Sequence, residues 1–270
     1  MAAAGKKIGW IGTGVMGKSM CKHLLSKGHS LSVYNRTRSK TDELVSLGAT
    51  FQEFSRVASE SDVLFLMLGF PRDVENLVYS QDGGLVSLMR RDTCLIDHTT
   101  SSPALAERLA RDLGSKGVGC IDAPVSGGDI GARNGQLVTM CGGDAKVFEA
   151  VQPLLKVYSK NVQLMGGAGA GQNTKLVNQI VIAGTMISMC EALVFGKKAG
   201  LNLQQVLEVI GGGAAASFSL NTYTPRILRG DLDPGFYVEH FVKDMEIALA
   251  ECEKMNITLP GLQLENRLYS

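Results

Sequence analysis

A lysine flanked by amide side chains at helical spacing is the feature of this chain best suited to acid–base chemistry. Lys175, Asn178 and Gln179 lie at i, i+3 and i+4, so a helix would place all three on one face. The lysine would fall in the first turn of an apolar helix, where the macrodipole disfavours a cation. Desolvation and the dipole would both lower its pKa towards the range that general acid–base catalysis uses. A lone lysine is usually a solvated surface residue, but these surroundings favour the catalytic interpretation.

A serine followed by two glycines marks a second segment with chemical potential. Ser126, Gly127 and Gly128 follow Asp122 and a short apolar run, at the point where a predicted strand ends. Consecutive glycines leave backbone N–H groups accessible, and such concave arrangements bind anions such as a carboxylate. An ordinary turn accounts for the same residues equally well, so this segment alone leaves both interpretations open.

The third segment is a glycine pattern near the N-terminus. Gly12, Gly14 and Gly17 form a G-x-G-x-x-G turn between the apolar strand Ile8–Ile11 and a predicted helix over Val15–Lys27. The first glycine permits the tight turn, the second lets backbone N–H groups approach a pyrophosphate, and the third lets helix and strand pack closely. Glycine accounts for 32 of 270 residues, so a chance match is expected, but the position at the start of a βαβ unit favours dinucleotide binding. The predicted contacts in this turn are Gly12, Thr13, Gly14, Val15, Met16 and Gly17.

The residues after the second predicted strand, Ser30–Tyr34, indicate which dinucleotide is bound. An NAD-binding protein usually places Asp or Glu there to hold the ribose 2′-hydroxyl. This chain has Asn35, Arg36 and Thr37 instead, and guanidinium and hydroxyl groups can bind a 2′-phosphate that a carboxylate would repel. The segment is also compatible with a solvated basic helix start in which Thr37 or Ser39 is the N-cap. The missing acid favours NADP over NAD.

Short apolar runs alternate with helical patterns through the first 165 residues. The predicted strands and helices are Val63–Leu68, Thr93–Asp97, Leu105–Lys116, Gly119–Val125, Gln136–Met140, Ala145–Lys156 and Val162–Met165. This alternation is typical of an α/β fold with a doubly wound parallel sheet. Ligands bind beyond the carboxyl ends of such strands, so the loops at Gly69–Pro71 and His98–Pro103 are expected to line the site. Leu68, where the first loop begins, is included among the predicted cofactor contacts.

The pattern changes at a glycine-rich junction, Gly166–Gly171. The next segment, Gln172–Gly200, is apolar nearly all round and would form a helix about 40 Å long. Only helical patterns follow, over Leu203–Ile210, Thr222–Leu228 and Val238–Met255. The sequence therefore predicts a Rossmann-type dinucleotide-binding domain over residues 1–165 and an all-helical domain over residues 166–270. So much apolar surface on one helix predicts a homo-oligomer, either a homodimer or a homotetramer.

Composition argues against several other classes. The formal net charge of +1 gives no overall basic excess for binding nucleic acid. Six cysteines occur singly, so neither a metal site nor a redox pair is predicted, and they are expected to be mostly buried in a reducing compartment. No apolar run is expected to reach the roughly 20 residues of a membrane span. The segment Met1–Lys7 is too short for a signal or transit peptide, which predicts a cytoplasmic protein unless an organellar leader was removed.

Six stretches of the chain follow one another in a specific order. They are Gly12-x-Gly14-x-x-Gly17, Asn35-Arg36-Thr37, Asp97-x-Thr99-Thr100, Asp122-Ala-Pro-Val-Ser-Gly-Gly128, Gly169-x-Gly171-x-x-x-Lys175 and Phe236-x-x-x-His240-Phe-x-Lys243-Asp244. Together they resemble the β-hydroxyacid dehydrogenases, a family that includes 3-hydroxyisobutyrate dehydrogenase, tartronate semialdehyde reductase and the plant glyoxylate/succinic semialdehyde reductases. The resemblance covers nearly the whole chain.

The resemblance implies roles for individual residues. Lys175 matches the catalytic lysine of the family, and Ser126, Gly127 and Gly128 match its substrate-carboxylate loop. The implied cofactor contacts are Thr100, Lys243 and, in the motif around the nicotinamide, Phe236; Asp244 lies in the same motif. Arg36 and Thr37 match the 2′-phosphate site of the NADP-using members.

The chain departs from the family pattern in two places. Gln179 stands where the family often has Asn, and the members similar to tartronate semialdehyde reductase also have Gln there. Thr99 stands where the family usually has Ser, a change that keeps the hydroxyl. Family members also usually carry a further C-terminal helix, and Gly261–Ser270 begins to look helical where this chain ends.

The resemblance implies reversible hydride transfer between NADP(H) and a short 3-hydroxy acid or its semialdehyde. Lys175 would act as general acid/base, with Asn178 and Gln179 orienting the substrate or the lysine. Substrate candidates are glyoxylate and the succinic, tartronate and methylmalonate semialdehydes. The alternatives are a non-catalytic NADP-binding module and an imine reductase on the same scaffold. The intact Lys175 weighs against both, because such relatives have lost or replaced that lysine.

Overall fold

Buried strands form the centre of the N-terminal part of the computed structural model, which describes residues 5–80 and 83–270. The chain forms two compact units, Met1–Lys175 and Leu176–Ser270, which we call unit 1 and unit 2. The domain boundary at residue 165 stays a prediction. The N-terminal segment used in the leader argument includes residues 1–4, which lie outside the described residues.

The strands of unit 1 belong to one sheet. They are β1 (Ile8–Ile11), β2 (Leu31–Tyr34), β3 (Thr50–Phe51), β4 (Val63–Leu66), β5 (Cys94–Asp97), β6 (Gly119–Asp122), β7 (Val125–Ser126), β8 (Leu137–Gly143) and β9 (Ser159–Gly166). Their order is β3-β2-β1-β4-β5-β6-β8-β7, with β9 paired to β8. The strands from β3 to β6 are parallel, and the order reverses between β1 and β4. The predicted Rossmann-type fold class is confirmed, with its ligand crevice expected at that reversal.

The sheet is not parallel throughout, which corrects the predicted arrangement. Strand β8 runs antiparallel to both β6 and β7. The segment Gly119–Val125, predicted as one strand, is interrupted at Ala123 and Pro124. Pro124 has no backbone N–H to donate to a ladder, so the chain leaves the sheet there and returns as β7. Strands β8 and β9 also extend beyond the predicted Gln136–Met140 and Val162–Met165.

Burial on both faces explains the continuous apolar runs of the central strands. Every residue of β4 and β5 is buried. Phe65 packs with Trp10 in one hydrophobic cluster, whereas Leu64 and Leu66 belong to a second cluster. Because neighbouring side chains of a strand point to opposite faces, the sheet has a helical layer on each side.

Eight helices cover the sheet within the described part of unit 1. They are α1 (Val15–Ser26), α2 (Asp42–Ser46), α3 (Phe54–Glu60), α4 (Pro71–Tyr79), α5 (Leu85–Leu88), α6 (Pro103–Gly114), α7 (Gly128–Arg133) and α8 (Ala145–Leu155). The Ser102 side chain accepts the N–H of Leu105 and so caps α6, and Asp144 caps α8 in the same way. These caps fix where the helices begin, two residues before the predicted Leu105 and at the predicted Ala145.

Unit 2 is helical throughout, as expected. The helices are α9 (Ala170–Lys198), which begins in unit 1, α10 (Leu203–Ile210), α11 (Phe218–Leu228), α12 (Val238–Lys254) and α13 (Pro260–Tyr269). Leu176 and Ala183 of α9 pack with Phe241 and Met245 of α12 in the core of this unit. Helix α11 begins before the predicted Thr222 because the Ser217 side chain caps it.

Helix α9 corrects the expectation that no apolar segment of this chain reaches the length of a membrane span. By length and mean hydropathy it is long and apolar enough to cross a membrane, whereas no such segment was predicted. Length and composition are the only grounds for that assignment. Its first turns carry the polar residues Gln172 and Lys175, both buried in unit 1.

Candidate active site

The G-x-G-x-x-G turn has the geometry that its three glycines were predicted to serve. Gly12 has φ +97°, and a Cβ there would overlap the carbonyl of Met67. A Cβ at Gly17 would overlap the carbonyl of Gly12, so α1 can approach β1 only with glycine. A Cβ at Gly14, in contrast, would meet nothing within 4 Å. The open space beside Gly14, at the N-terminus of α1, is where a turn of this kind is expected to receive the pyrophosphate of a dinucleotide.

Asn35 links this turn to the loop that follows β2. Its side-chain oxygen accepts the N–H of Thr13 at 3.0 Å, and its amide nitrogen donates to the carbonyl of Thr37 at 2.9 Å. An aspartate could accept the first bond but could not donate the second. Asn35 therefore fixes the loop without adding a negative charge.

The basic residues of this loop are exposed. Arg36 and Thr37 are both open to solvent, and the guanidinium of Arg38 lies over the ring of Phe51 at 4.7 Å. Thr37 stands at the N-cap position of the 3-10 turn Arg38–Thr41, but its side chain makes no capping hydrogen bond to the described backbone. The simple capping interpretation of Thr37 therefore loses support.

The carboxyl ends of β4 and β5 are tied together by the hydroxyl of Thr99. This hydroxyl accepts the N–H of Leu68 at 2.9 Å, and the N–H of Thr99 donates to the side chain of Asp97 at 2.9 Å. Thr99 is fully buried, and Thr100 beside it is half-buried. Two predicted cofactor contacts, Leu68 and Thr100, are thus held at neighbouring strand ends.

His98 lies under this loop in an aromatic stack. Its ring stacks on Trp10 and Phe65 with centroids 5.8 and 5.7 Å apart. Nδ1 lies 2.6 Å from the carbonyl of Ala123, so it carries the proton, and Nε2 accepts from the Tyr158 hydroxyl at 2.9 Å. Burial lowers the pKa of His98 to about 4, against a weaker opposing effect of the bond to Ala123. His98 is therefore neutral and structural at physiological pH.

This buried histidine should make the fold less stable as the pH falls. Its pKa is about 6.5 in the unfolded chain and about 4 in the folded one, so between these values only the unfolded chain binds the proton. The free energy of unfolding should drop by about 3 kcal/mol more from pH 6.5 to pH 4 than in His98→Gln. Urea denaturation at both pH values measures the difference. Parallel losses in the two proteins would contradict the assignment.

The start of α9 is anchored on Asp122 at the end of β6. The carboxylate accepts the N–H of Gly169 at 2.8 Å and that of Gln172 at 2.9 Å. A Cβ at Gly171 would lie 2.5 Å from the carbonyl of Met140 and 2.7 Å from Asp122 Oδ2, so this approach needs glycine. Burial raises the pKa of Asp122, an effect that the backbone donors partly offset.

Lys175 projects from the second turn of α9 to the predicted substrate loop. The residue is 6% exposed, and its Nζ donates to the carbonyl of Val125 at 2.9 Å. Val125 directly precedes Ser126, and Gly127 and Gly128 follow with φ values of +127° and +61°. The structure thus brings the predicted catalytic lysine to the segment predicted to bind a carboxylate. A buried ammonium beside half-buried polar backbone can transfer a proton to a bound oxygen.

Gln172 is a residue of this site that the sequence interpretation missed. It is fully buried; its Oε1 accepts the N–H of Ser101 at 2.9 Å, and its Nε2 donates to the carbonyl of Thr99 at 2.8 Å. The signal was its position three residues before Lys175, on the same face of the predicted helix. A polar residue on a buried helix face needs hydrogen-bond partners, so such a position indicates a specific contact with another segment.

Four other predicted site residues lie in unit 2. Asn178 donates to Gln179 at 2.8 Å, Gln179 donates to Asp244 at 2.6 Å, and Lys243 pairs with Asp244 at 3.1 Å. Asp244 is fully buried and Gln179 is 2% exposed, so this chain of polar groups is internal to the unit. Phe236 is 42% exposed and lies beside His240.

Side chains of the types that bind metals or form disulfides occur throughout residues 5–80 and 83–270. Among them no group of three or more His, Cys, Asp or Glu side chains is arranged to hold a metal ion. All six cysteines lie in these residues and are free thiols. Four are buried, whereas Cys120 is half-buried and Cys190 is exposed.

Comparison with known proteins places this geometry in a family. Residues 7–167 match the NAD binding domain of 6-phosphogluconate dehydrogenase, and residues 169–270 match the family described as NAD-binding of NADP-dependent 3-hydroxyisobutyrate dehydrogenase. The two matches together span almost the whole chain, with the match to the NAD binding domain on the Rossmann-type part and the second match on the helical part that follows.

Individual relatives agree with these matches. The chain is 48% identical over 97% of its length to the Arabidopsis thaliana protein named probable 3-hydroxyisobutyrate dehydrogenase-like 1, mitochondrial, and covers 79% of it. It is 37% identical over 98% of its length to 2-hydroxy-3-oxopropionate reductase of Escherichia coli K12, covering 90% of that enzyme. The solved structure of Mycobacterium tuberculosis 3-hydroxyisobutyrate dehydrogenase with L-serine is 28% identical, has a TM-score of 0.88, and matches over 98% of this chain and 92% of that one.

A Rossmann-type sheet with a phosphate-binding glycine turn, joined to a helical C-terminal part, defines an oxidoreductase that uses a nicotinamide cofactor. Within that class, the chain belongs to the β-hydroxyacid dehydrogenase family, as the sequence motifs indicated. It is therefore an enzyme of the hydroxyacid dehydrogenase type.

Proposed function

We propose that this enzyme transfers hydride reversibly between NADP(H) and a short 3-hydroxy acid or its semialdehyde, with Lys175 as general acid/base. The observation that carries the proposal is the position of the Lys175 ammonium, buried and 2.9 Å from the carbonyl that precedes Ser126. A carboxylate bound at Ser126, Gly127 and Gly128 would leave the reacting end of a short acid near this ammonium.

The chain's own residues account for the proton and for orientation. When bound, reduced nicotinamide supplies a hydride to the carbonyl carbon of the aldehyde. Lys175 gives one proton to the carbonyl oxygen, so an aldehyde becomes an alcohol as NADPH becomes NADP⁺; in the reverse direction Lys175 takes the proton back. Asn178 and Gln179, on the following turn of α9, would orient the lysine or the substrate. Phe236 and Lys243 are proposed to contact the cofactor, as the resemblance implies.

An initial-rate screen tests the proposed reaction. Glyoxylate and the succinic, tartronate and methylmalonate semialdehydes would be reduced with NADPH and with NADH, and 3-hydroxy acids oxidised in the reverse direction. We expect at least one semialdehyde to be turned over with NADPH. If the folded protein binds NADPH but converts none of these compounds, the non-catalytic binding module becomes the better proposal.

A preference for NADPH should depend on Arg36. Arg36→Ala should raise KM for NADPH about tenfold or more, since a charge-assisted bond to the 2′-phosphate is lost, and leave KM for NADH nearly unchanged. Arg38→Ala is the matched control, because it removes the same charge from the same loop while its guanidinium lies over Phe51. Equal losses with both cofactors, or with both variants, would contradict a 2′-phosphate site at Arg36.

The apolar surface of unit 2 supports a homo-oligomer. Several large apolar side chains of this unit are more than 60% exposed, among them Val177, Val181, Val194, Phe195 and Val209. Large apolar side chains exposed in this number on one unit are typical of a surface that a second copy of the chain covers. Sedimentation at micromolar concentration should show a dimer or tetramer, and a single species of 28.8 kDa would contradict the proposal.

The remaining partner and compartment assignments are also proposals. We propose a small carboxylate-bearing substrate as the ligand, with neither nucleic acid nor membrane as a partner, and a cytoplasmic protein. The Arabidopsis thaliana relative is named mitochondrial. Cell fractionation of the full-length product distinguishes the two compartments.

A further inference from the structure

We propose that Gln172 is a positioning residue: it holds the loop that carries Thr100 at a fixed position relative to Lys175. The inference rests on the proposed function, because Lys175 and Thr100 are its acid/base and one of its cofactor contacts. It assigns to the first turns of α9 a task beyond carrying the lysine.

Both polar atoms of the Gln172 side-chain amide make hydrogen bonds. Its Oε1 accepts the N–H of Ser101, and its Nε2 donates to the carbonyl of Thr99, at 2.9 and 2.8 Å. These two partners are the backbone groups on either side of Thr100. Ser101 is 1% exposed and Thr99 is fully buried, so water cannot replace the amide at either group.

The backbone of Gln172 is fixed as firmly as its side chain. Its N–H donates to Asp122 Oδ2 at 2.9 Å, and Asp122 also accepts the N–H of Gly169. One residue therefore connects the carboxyl end of β6 with the loop after β5. Thr99 extends the connection to β4 through the N–H of Leu68.

Lys175 lies three residues further along α9, on the same helix face. The backbone of a helical turn is rigid, so the helix itself sets the distance between the backbones of Gln172 and Lys175. Any displacement of the Thr99–Ser101 loop relative to Gln172 is thus a displacement relative to the lysine. Hydride transfer is sensitive to such errors, since a shift of about 1 Å can cost about a hundredfold in rate.

Substitutions at Gln172 separate positioning from stability. Gln172→Leu has a similar volume but leaves both Ser101 N–H and the Thr99 carbonyl without a partner. Gln172→Glu can make both bonds only while its carboxyl is protonated, because an ionised carboxylate cannot donate. Thr174→Ala is the matched control: it removes a side chain from the same turn whose hydroxyl donates to the Ala170 carbonyl of its own helix.

The first measurement is hydrogen exchange of the peptide that contains Ser101, followed by mass spectrometry at a temperature where all variants are folded. Gln172→Leu should accelerate exchange there, and Thr174→Ala should not. Unchanged exchange in Gln172→Leu would overturn the inference whatever the enzyme's activity. Should Gln172→Leu fail to fold, Gln172→Asn, which shortens the amide by one methylene, carries the same test.

The second measurement is kinetic. With the hydroxy acid that the screen identifies, kcat of Gln172→Leu should fall about 10- to 100-fold, with KM for the acid within about threefold. The ratio of kcat for Gln172→Glu to kcat for the wild type should fall as the pH rises, while the ratio for Gln172→Leu stays flat. A merely structural role predicts flat ratios for both, and would overturn the inference. An inactive wild type refutes the proposed function instead, with the exchange result still deciding the contact.

Discussion

Replacing Lys175 by alanine should lower kcat at least about a hundredfold, because removal of a general acid/base typically costs 10²–10⁴-fold. The ammonium is buried and lies 2.9 Å from the Val125 carbonyl, at the start of the predicted carboxylate loop. Affinity for NADPH should stay within a few-fold, since the glycine turn and the loop after β2 do not include the lysine. The single tryptophan, Trp10, lies on β1 two residues before Gly12, so energy transfer to bound NADPH measures that affinity.

Two further variants sharpen the test of Lys175. Lys175→Arg should be nearly as poor as the alanine variant, because a guanidinium does not release its proton at working pH. Asn173→Ala, at an exposed position of the same turn, should keep full activity. If Lys175→Ala retains most of its turnover, or loses activity only because it unfolds, the lysine is structural and the non-enzymatic interpretation gains weight.

Parts of this fold were predictable because their physical causes are local in sequence. Continuous apolar runs such as Val63–Leu66 are typical of strands buried on both faces, and the structure buries this one so. The glycine turn is local only in part: the steric limit at Gly17 comes from Gly12 in the same βα unit, whereas the limit at Gly12 comes from Met67, which follows β4. Helix ends were less certain, and side-chain caps such as Ser217 shifted them by a few residues.

The features that the sequence did not predict depend on contacts between distant segments. The antiparallel direction of β8 depends on its pairing with β6 and β7, and an apolar pattern does not indicate strand direction. The partners of Gln172 lie 71 and 73 residues away, and Tyr158, whose hydroxyl donates to His98, lies 60 residues away. No periodicity within one segment reports such pairs. Their residue types gave only a hint, that buried amides and imidazoles need partners.

A pair of glycine substitutions separates cofactor binding from folding in the same turn. Gly17→Ala should destabilise the fold by about 3 kcal/mol, since its Cβ would overlap the Gly12 carbonyl and force α1 away from β1. Gly14→Ala should leave the free energy of unfolding within about 1 kcal/mol. Its φ of −68° suits any residue, and its Cβ would meet nothing within 4 Å. Urea denaturation measures both values.

The same Gly14→Ala variant should bind NADPH about 10- to 100-fold more weakly than the wild type. The methyl group would fill the space where the pyrophosphate approaches the N-terminus of α1, and so would cost a charge-assisted hydrogen bond from the backbone. Binding is measured by energy transfer from Trp10 to bound NADPH. The expected pattern is a stable protein with weak binding for Gly14→Ala and an unstable protein for Gly17→Ala. A Gly14→Ala protein that binds NADPH as tightly as the wild type would mean that the dinucleotide does not approach this glycine, and the phosphate site would have to lie elsewhere.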